Sequence, residues 1–309
     1  MNGALIIDKP AGLTSHDVVA RVRRIIGERR VGHTGTLDPF ATGVLVVLVG
    51  SATRLSQFLS GAEKEYEATI RFGYATDTGD VTGTVLEPAF CAGAQSLRPE
   101  DIESALASFR GEMEQTPPMF SAKKIGGQKL YEVARRGEQL ERPKVPIIVS
   151  AFEPVAGSDA RLRVNTDATA DFDVRVVCSA GTYVRTLAED LGKRLGVGAH
   201  LVALRRTRAG NFRLNEAISL ERLAELSSLN SAGQTLVSPD NALAHLPAVE
   251  LSAADARSIR HGIDIPSMNA STKTELVRLR DAGGTLLAVG AVDAARQVIH
   301  PKVVLARQE

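Results

Sequence analysis

One carboxylate stands out for its setting. Asp38 lies in VGHTGTLDPFATGVLVVLVG (residues 31–50), between a Gly/Thr-rich loop and an apolar run, with Pro39 directly after it. An aspartate titrates near ~3.9, so at neutral pH it is an anion and needs no neighbouring base to act as a nucleophile. It does need to be held, and to stay charged where water is excluded. A cationic neighbour does both. The following proline confines its backbone to extended angles and stiffens its presentation. The plainer reading is a helix cap, the carboxylate accepting amide hydrogens while the proline takes the first helical position. Gly32, Thr34, Gly35, Thr36 and Gly43 weaken that reading. A simple cap needs no positions free of side-chain bulk, whereas a backbone pressed close to something does.

Other segments supply company. CSAGTYVRTLAEDLG places Tyr183 and Arg185 at the mouth of a helix, after a glycine. KEYEATIRFG places Tyr66 in an alternating strand, on one side with Ala68 and Ile70. His33 stands ahead of Asp38 in the loop. Each also has an ordinary reading: a half-buried anchor, a solvated helix arginine, a core aromatic, a backbone-bonded histidine. None of the six histidines pairs with a His, Cys or carboxylate at ligand spacing, so no metal is expected.

Basic residues gather in two runs. Lys193, Arg194, Arg205, Arg206, Arg208 and Arg213 lie between Leu191 and Asn215 with no acid among them. Lys123, Lys124, Lys129, Arg135 and Arg136 surround the Gly126-Gly127 pair, which suits a mobile loop that orders on a ligand. Runs of this kind are commonly solvated faces. Two of them flanking a candidate site favour phosphate contacts.

The elements that must position these groups are legible in part. ALIIDKPAG reads as a buried strand ending in a turn. TSHDVVARVRRIIG reads as a helix with a Thr14/Asp17 capping box, a stop at Gly27, and Val18, Val22, Ile25 and Ile26 on one face. Its other face carries Arg21, Arg23 and Arg24. GVLVVLVG, EYEATIRFGYAT and DFDVRVVCSAG read as strands; RPEDIESALASFRG, YEVARRG and TYVRTLAEDLGKRLG read as helices. There is no regular strand–helix–strand rhythm. The expected class is α+β with a mixed, mainly antiparallel sheet over residues 1–240. After the polar stretch LSSLNSAGQTLVSPDNALAHLP, residues 245–309 hold a short helix and short strands, including a hairpin at AGG. They read as a small β-barrel module, marginal alone and stable when docked.

The bulk numbers narrow the class. The chain has 309 residues, 44% of them hydrophobic, no tryptophan and a net charge of +1. An aliphatic core can form, and a strongly basic protein is excluded. Cys91 and Cys178 form no disulfide framework, which fits a reduced, cytoplasmic setting. No leader sequence is visible, and no apolar run approaches the ~20 residues needed to span a bilayer. A phosphate-loop reading of GHTGTLDP fails for want of the Gly-Lys-Ser/Thr ending.

GHTGTLDPFATGVL resembles the signature loop of the TruB family of tRNA pseudouridine synthases. LIIDKPAGLTSHDVV, TDTGDVTG, TPPMFSAKKIGGQKLYEVARRGE and CSAGTYVRTLAEDLGKRLGVGAHLVALRRTRAGNF resemble its other segments, in order, across roughly residues 3–215. The C-terminal module is similar in placement and strand pattern to a PUA domain. The resemblance implies the pseudouridine synthase fold, an RNA-gripping insertion at about 120–145, and isomerisation of uridine 55 in the tRNA T-loop. It implies no cofactor, no obligate protein partner and a monomer. It makes Asp38 the nucleophile, Arg185 its cationic partner, and Tyr66 the residue that stacks on the base and serves proton transfer. Tyr183 and Leu204 would line the uracil pocket, and His33 would hold flipped-out nucleotides. Lys123, Lys124, Lys129, Arg135, Arg205, Arg206 and Arg208 are the expected RNA contacts. Thr36 stands where many members carry alanine, one small residue for another. A guide-RNA-dependent, dyskerin-like enzyme and a non-catalytic tRNA-binding or folding protein are the alternatives. The insertion points away from the first, and Asp38→Asn separates the second.

Overall fold

A computed structural model describes residues 1–86, 93–138, 140–155, 162–267 and 275–305. Cys91 lies outside the described residues. The first half runs β1 (Gly3–Lys9), α1 (Ser15–Ile26), β2 (Val31–His33), β3 (Thr42–Val49), α2 (Ser56–Leu59), β4 (Lys64–Phe72), α3 (Pro99–Ala107) and β5 (Gly111–Gln115). An insertion follows: β6 (Lys124–Ile125), β7 (Gln128–Lys129) and α4 (Leu130–Arg135). The body resumes with β8 (Val145–Pro154), β9 (Arg163–Val164), β10 (Ala170–Cys178), α5 (Val184–Leu195), β11 (Ala199–Ala209) and β12 (Phe212–Arg213). Then come α6 (Leu220–Ser228), α7 (Pro239–Ala242), β13 (Ala248–Glu250), α8 (Ala253–Arg260), β14 (Ile265–Pro266), β15 (Leu276–Arg280), β16 (Leu286–Asp293) and β17 (Val298–Val304).

The main sheet orders as β1-β3-β11-β4-β10-β8-β5, with β2 on β3, β9 on β10 and β12 on β11. Its pairings are antiparallel except β3 with β11, where Thr42 and Gly43 lie beside Arg205 and Arg206. This is the mixed, mainly antiparallel sheet expected. The uninterrupted apolar runs of β1 and β3 are explained by cover on both faces. Leu5, Ile7, Leu45 and Val47 pack against Val18 and Val22 of α1 and Leu220 and Leu223 of α6. Ala4, Ile6, Val44 and Val46 pack on the other side with Phe212, Leu243 and Val289. Strands β4 and β10 alternate because one face alone is buried: Tyr66, Ala68, Ile70 and Phe72 join Phe172, Val174, Leu187 and Leu191 in the largest core. Each such aliphatic or aromatic side chain contributes about 1.5–3 kcal/mol.

The predicted α1 forms with both capping-box bonds, Thr14 N–H to Asp17 Oδ2 at 2.9 Å and Asp17 N–H to Thr14 Oγ1 at 3.1 Å, and Gly27 closes it at φ 66°. Strand β11 is not among the elements read from the sequence. Its sequence reads as a charged run, yet it is a central strand. Two bulges, at Leu201/Ala203 and Arg206/Arg208, break the alternation that would have marked it. The C-terminal strands form a curled half-barrel ordered β13-β15-β16-β17-β14, the PUA-like module expected. Asp240 ties it down, accepting from Arg278 Nη1 and Arg280 Nε, each at 2.8 Å, and pairing with Arg280 Nη2 at 2.8 Å.

Gly43 marks where the two parallel strands meet. Its φ is +99°, and a Cβ there would lie 2.2 Å from the carbonyl oxygen and 2.8 Å from the nitrogen of Arg206. Backbone atoms cannot swing aside. Gly43→Ala should therefore cost at least about 2 kcal/mol in urea unfolding. Gly27→Ala, facing open space at φ +66°, should cost only about 1 kcal/mol. Equal losses would contradict this packing.

Candidate active site

The loop after β2 is clamped from both sides. Lys9 is fully buried, and its ammonium donates to the carbonyls of Pro10 (2.9 Å), Leu13 (2.7 Å) and Pro39 (3.2 Å). Burial brings its pKa down to about 8. Ser15, at the start of α1, accepts from Leu37 N–H (2.8 Å) and donates to Leu37 O (3.2 Å). From the other side Arg206, 2% exposed, donates to Val44 O (2.7 Å), Gly35 O (3.0 Å) and Thr36 O (3.3 Å). Asp38 sits on the stretch between these clamps.

Among the described residues the Asp38 carboxylate accepts from no backbone amide; its carbonyl, instead, closes the turn to Ala41 N–H at 3.1 Å. The side-chain cap is therefore absent. The carboxylate faces Arg185, with Nε to Oδ2 at 2.9 Å and Nη2 to Oδ1 at 3.3 Å, the two-pronged fit a guanidinium makes. The Arg185 side chain is 4% exposed and that of Asp38 34%. The cation is buried and the anion opens to the cavity. Arg185 also donates to the carbonyls of Thr78 and Phe120, and its Nε lies 3.8 Å from Asp80 Oδ2. Asp80 is itself fixed: Oδ1 accepts from Thr78 Oγ1 (2.9 Å), Thr82 N–H (2.9 Å) and Thr82 Oγ1 (2.6 Å).

The N-terminus of α5 has no side-chain cap of its own. Buried Gln115 of β5 replaces it, accepting from Tyr183 N–H at 2.8 Å and donating to Tyr183 O at 3.1 Å. That pair sets the direction of Tyr183 and, two residues on, Arg185.

A cavity of about 460 Å³ opens over the ion pair. Asp38, Arg185, Tyr66, Tyr183, Leu204 and His33 all line it. The structure thus brings together every residue singled out for catalysis or base binding. Tyr66 is buried, which raises its pKa, so the phenol keeps its proton. Lys64 also lines the cavity; burial brings it down to about 8, and its ammonium donates to Ser60 O at 2.6 Å and to Ala62 O.

The expected RNA contacts divide. Lys123 directly follows Ser121 and Ala122, which line the cavity, and Lys124 is exposed. Lys129 is 3.4 Å from Glu132 Oε1. The side chain of Arg135 lies outside the described residues. Gly126 and Gly127, at φ +57° and +82°, make the two-residue turn of the β6–β7 hairpin. The arginines of β11 divide between two faces of the sheet. Arg205 and Arg208 stand opposite Glu67 and Glu65 of β4, on the face away from Tyr66, and pair with Asp8 and Glu63, each at 2.8 and 2.7 Å respectively. Arg206 points inward and spends its donors on the loop. Arg206 also lines the cavity, while side-chain parity along the strand, invisible in a run of basic letters, turns Arg205 and Arg208 to the opposite face.

Lys9, Ser15, Asp80 and Gln115 carry the site without having been singled out. Asp80 carries a signal, a Thr-x-Asp-x-Thr pattern suited to local turns. The other three carry none, because the contacts that tie them to the site, with Pro39, Leu37 and Tyr183, come from segments distant in the chain.

His33 accepts from Gly35 N–H at 3.3 Å and meets His16 edge-on at 5.4 Å. Burial, helped by the charges of His16 and Arg206, brings its pKa from 6.5 to about 4. Between those values the unfolded chain holds a proton that the folded chain does not, so stability falls as pH falls through the window. His33→Gln should flatten the decline in the urea midpoint between pH 7 and 4.5. Parallel wild-type and variant curves would contradict the assignment.

Three family models match the chain in succession: TruB family pseudouridylate synthase (N terminal domain) over 23–184, tRNA pseudouridylate synthase B C-terminal domain over 185–243, and Pseudouridine synthase II TruB, C-terminal, over 247–305. The tRNA pseudouridine synthase B of Geobacter sulfurreducens is 48% identical over 264 residues, 85% of this chain and 82% of the relative. That of Mycobacterium bovis is 43% identical over 308 residues, covering 97% and 98%. Among solved structures, a Cbf5-Nop10-Gar1 complex matches with TM-score 0.73 and 27% identity over 99% of this chain and 85% of that one. An H/ACA RNP bound to a substrate RNA containing 2′-deoxyuridine matches with TM-score 0.73 and 25% identity, over 99% and 86%.

Proposed function

The chain belongs to the TruB family of pseudouridylate synthases, and we propose that it isomerises uridine 55 in the T-loop of tRNA, with Asp38 as the nucleophile. The observation that supports this most is the Asp38–Arg185 pair at the cavity, its cation buried and its anion open.

The chemistry fits such a site. The N1–C1′ bond breaks, uracil turns, and a C5–C1′ bond forms; the C5 proton is lost and N1 regains one. No electrons leave, so the residues must supply an anion, a shaped cavity and proton transfer. The Asp38 carboxylate can add to C6 of uracil, add to C1′ of ribose, or take the C2′ proton; each route draws on the same placed anion. Arg185 fixes the direction of that anion and offsets its desolvation as a base closes the cavity.

Uridine must leave its stack to reach the site, which costs a few kcal/mol. Stacking on an aromatic returns about 1–3 kcal/mol per base. Tyr66 serves here, with Tyr183 and Leu204 completing the walls. The protonated Tyr66 phenol suits a relay for the C5 proton. His33, neutral at physiological pH, holds neighbouring nucleotides by shape and hydrogen bonding. Lys123, Lys124, Lys129 and Arg135, on the insertion, contact phosphates. Because the Phe120 carbonyl, beside the insertion, accepts from Arg185 Nη2, the gripping segment and the ion pair are joined.

The test is tritium release from a C5-labelled tRNA transcript given no guide RNA. The wild type should release tritium, and Asp38→Asn should lower the rate at least about a thousand-fold, as loss of a nucleophile does, while binding the transcript within two-fold of wild type. Release only with added guide RNA would support the dyskerin-like alternative. Comparable rates in the two proteins would overturn the assignment of Asp38.

A further inference from the structure

The arginine face of α1 takes no part in the site described above. Arg21, Arg23, Arg24, Arg29 and Arg30 are all exposed, within ten residues of chain. The same stretch, from His16 to His33, holds two carboxylates, Asp17 and Glu28. Both are engaged locally: Asp17 in the capping box, Glu28 in accepting from Arg30 N–H at 3.0 Å. Arg23 spends Nη2 on Val31 O at 2.6 Å. Among the described residues, Arg21, Arg24, Arg29 and Arg30 have no carboxylate within ion-pair distance, although many of the chain's other arginines do. Arg23 and Arg24 in the last turn complement the helix dipole, worth about 0.3–1 kcal/mol each. That accounts for neither Arg21 nor Arg29 and Arg30, which lie a turn earlier or beyond the helix.

Placement ties this face to the cavity. Ser15 at the start of α1 grips Leu37 of the Asp38 loop, and His16 meets His33, which lines the cavity. From there α1 runs away from the loop, and at 1.5 Å per residue its arginines begin about 9 Å further on. β2, which follows Arg30, runs back alongside it from Val31 to His33, held by Arg23 on Val31 O. A positive strip therefore leads out from the cavity mouth past the histidine pair.

We propose that this arginine face is a phosphate track for the RNA strand leaving the candidate active site, separate from the basic insertion. Guanidiniums held in no ion pair suit a polyanion and bind it largely by releasing its counterions; Glu221 of α6 lies near Arg21 and offsets part of the charge there. The inference rests on the reading of the cavity as an RNA site and extends it to a surface that the chemistry does not touch.

The test neutralises the four unpaired arginines together: Arg21→Gln, Arg24→Gln, Arg29→Gln and Arg30→Gln, leaving Arg23 to hold Val31. Affinity for a full-length tRNA transcript is measured between 50 and 200 mM salt, in an Asp38→Asn background so that nothing turns over. The glutamine variant should bind about ten-fold more weakly at 100 mM salt, and its log K against log salt slope should fall by about one or more. Lysine at the same four positions should restore most of the slope. An unchanged slope in the glutamine variant, or a slope that lysine does not restore, would overturn the track. Tritium release by the wild type, run separately, keeps the two readings apart: an active enzyme with an unchanged slope loses only the track, and an inactive protein that loses slope keeps it.

Discussion

A buried guanidinium with all its directions spoken for is the constraint from which the rest follows. Arg185 faces two carboxylates and two carbonyls, from Asp38, Asp80, Thr78 and Phe120. They come from three separate stretches of chain: the Asp38 loop, the turn that holds both Thr78 and Asp80, and the segment at Phe120. A lone cation this deep would cost several kcal/mol, so these groups are not optional neighbours. They converge because the cation needs them, and in converging they fix where the Asp38 oxygens point.

The sheet is the frame for that convergence. The parallel contact of β3 with β11 brings Arg206 under the Asp38 loop, and Gly43 permits the approach. Gln115 joins the end of β5 to the start of α5, so the edge of the sheet sets the helix that carries Arg185. Lys9 and Ser15 hold the loop from the β1–α1 side. Together these contacts leave the carboxylate rigid at its base and open at its tip, the form a reacting anion requires.

Much of this was legible in sequence, for physical reasons. Asp38 could be read because glycines and a proline surround it, and Tyr66 because β4 alternates cleanly. The capping box and Gly27 bounded α1 without any tertiary contact. β11 was not legible, since bulges and arginines hide its period, and the roles of Arg205, Arg206 and Arg208 turned on which face each side chain takes. Lys9 and Gln115 could not be found at all. The contacts that matter here, Lys9 with Pro39 O and Gln115 with the Tyr183 backbone, join distant parts of the chain, and only the fold brings those groups near.

If the ion pair acts as a unit, its two members should not be worth the sum of their separate losses. A double-mutant cycle on single-turnover isomerisation, with Asp38→Asn, Arg185→Gln and both together, measures this directly. The account predicts that the double variant is no slower than Asp38→Asn alone, because without the carboxylate the guanidinium has nothing left to orient. Fully additive losses would contradict it, and would mean that Arg185 acts on the substrate independently of Asp38.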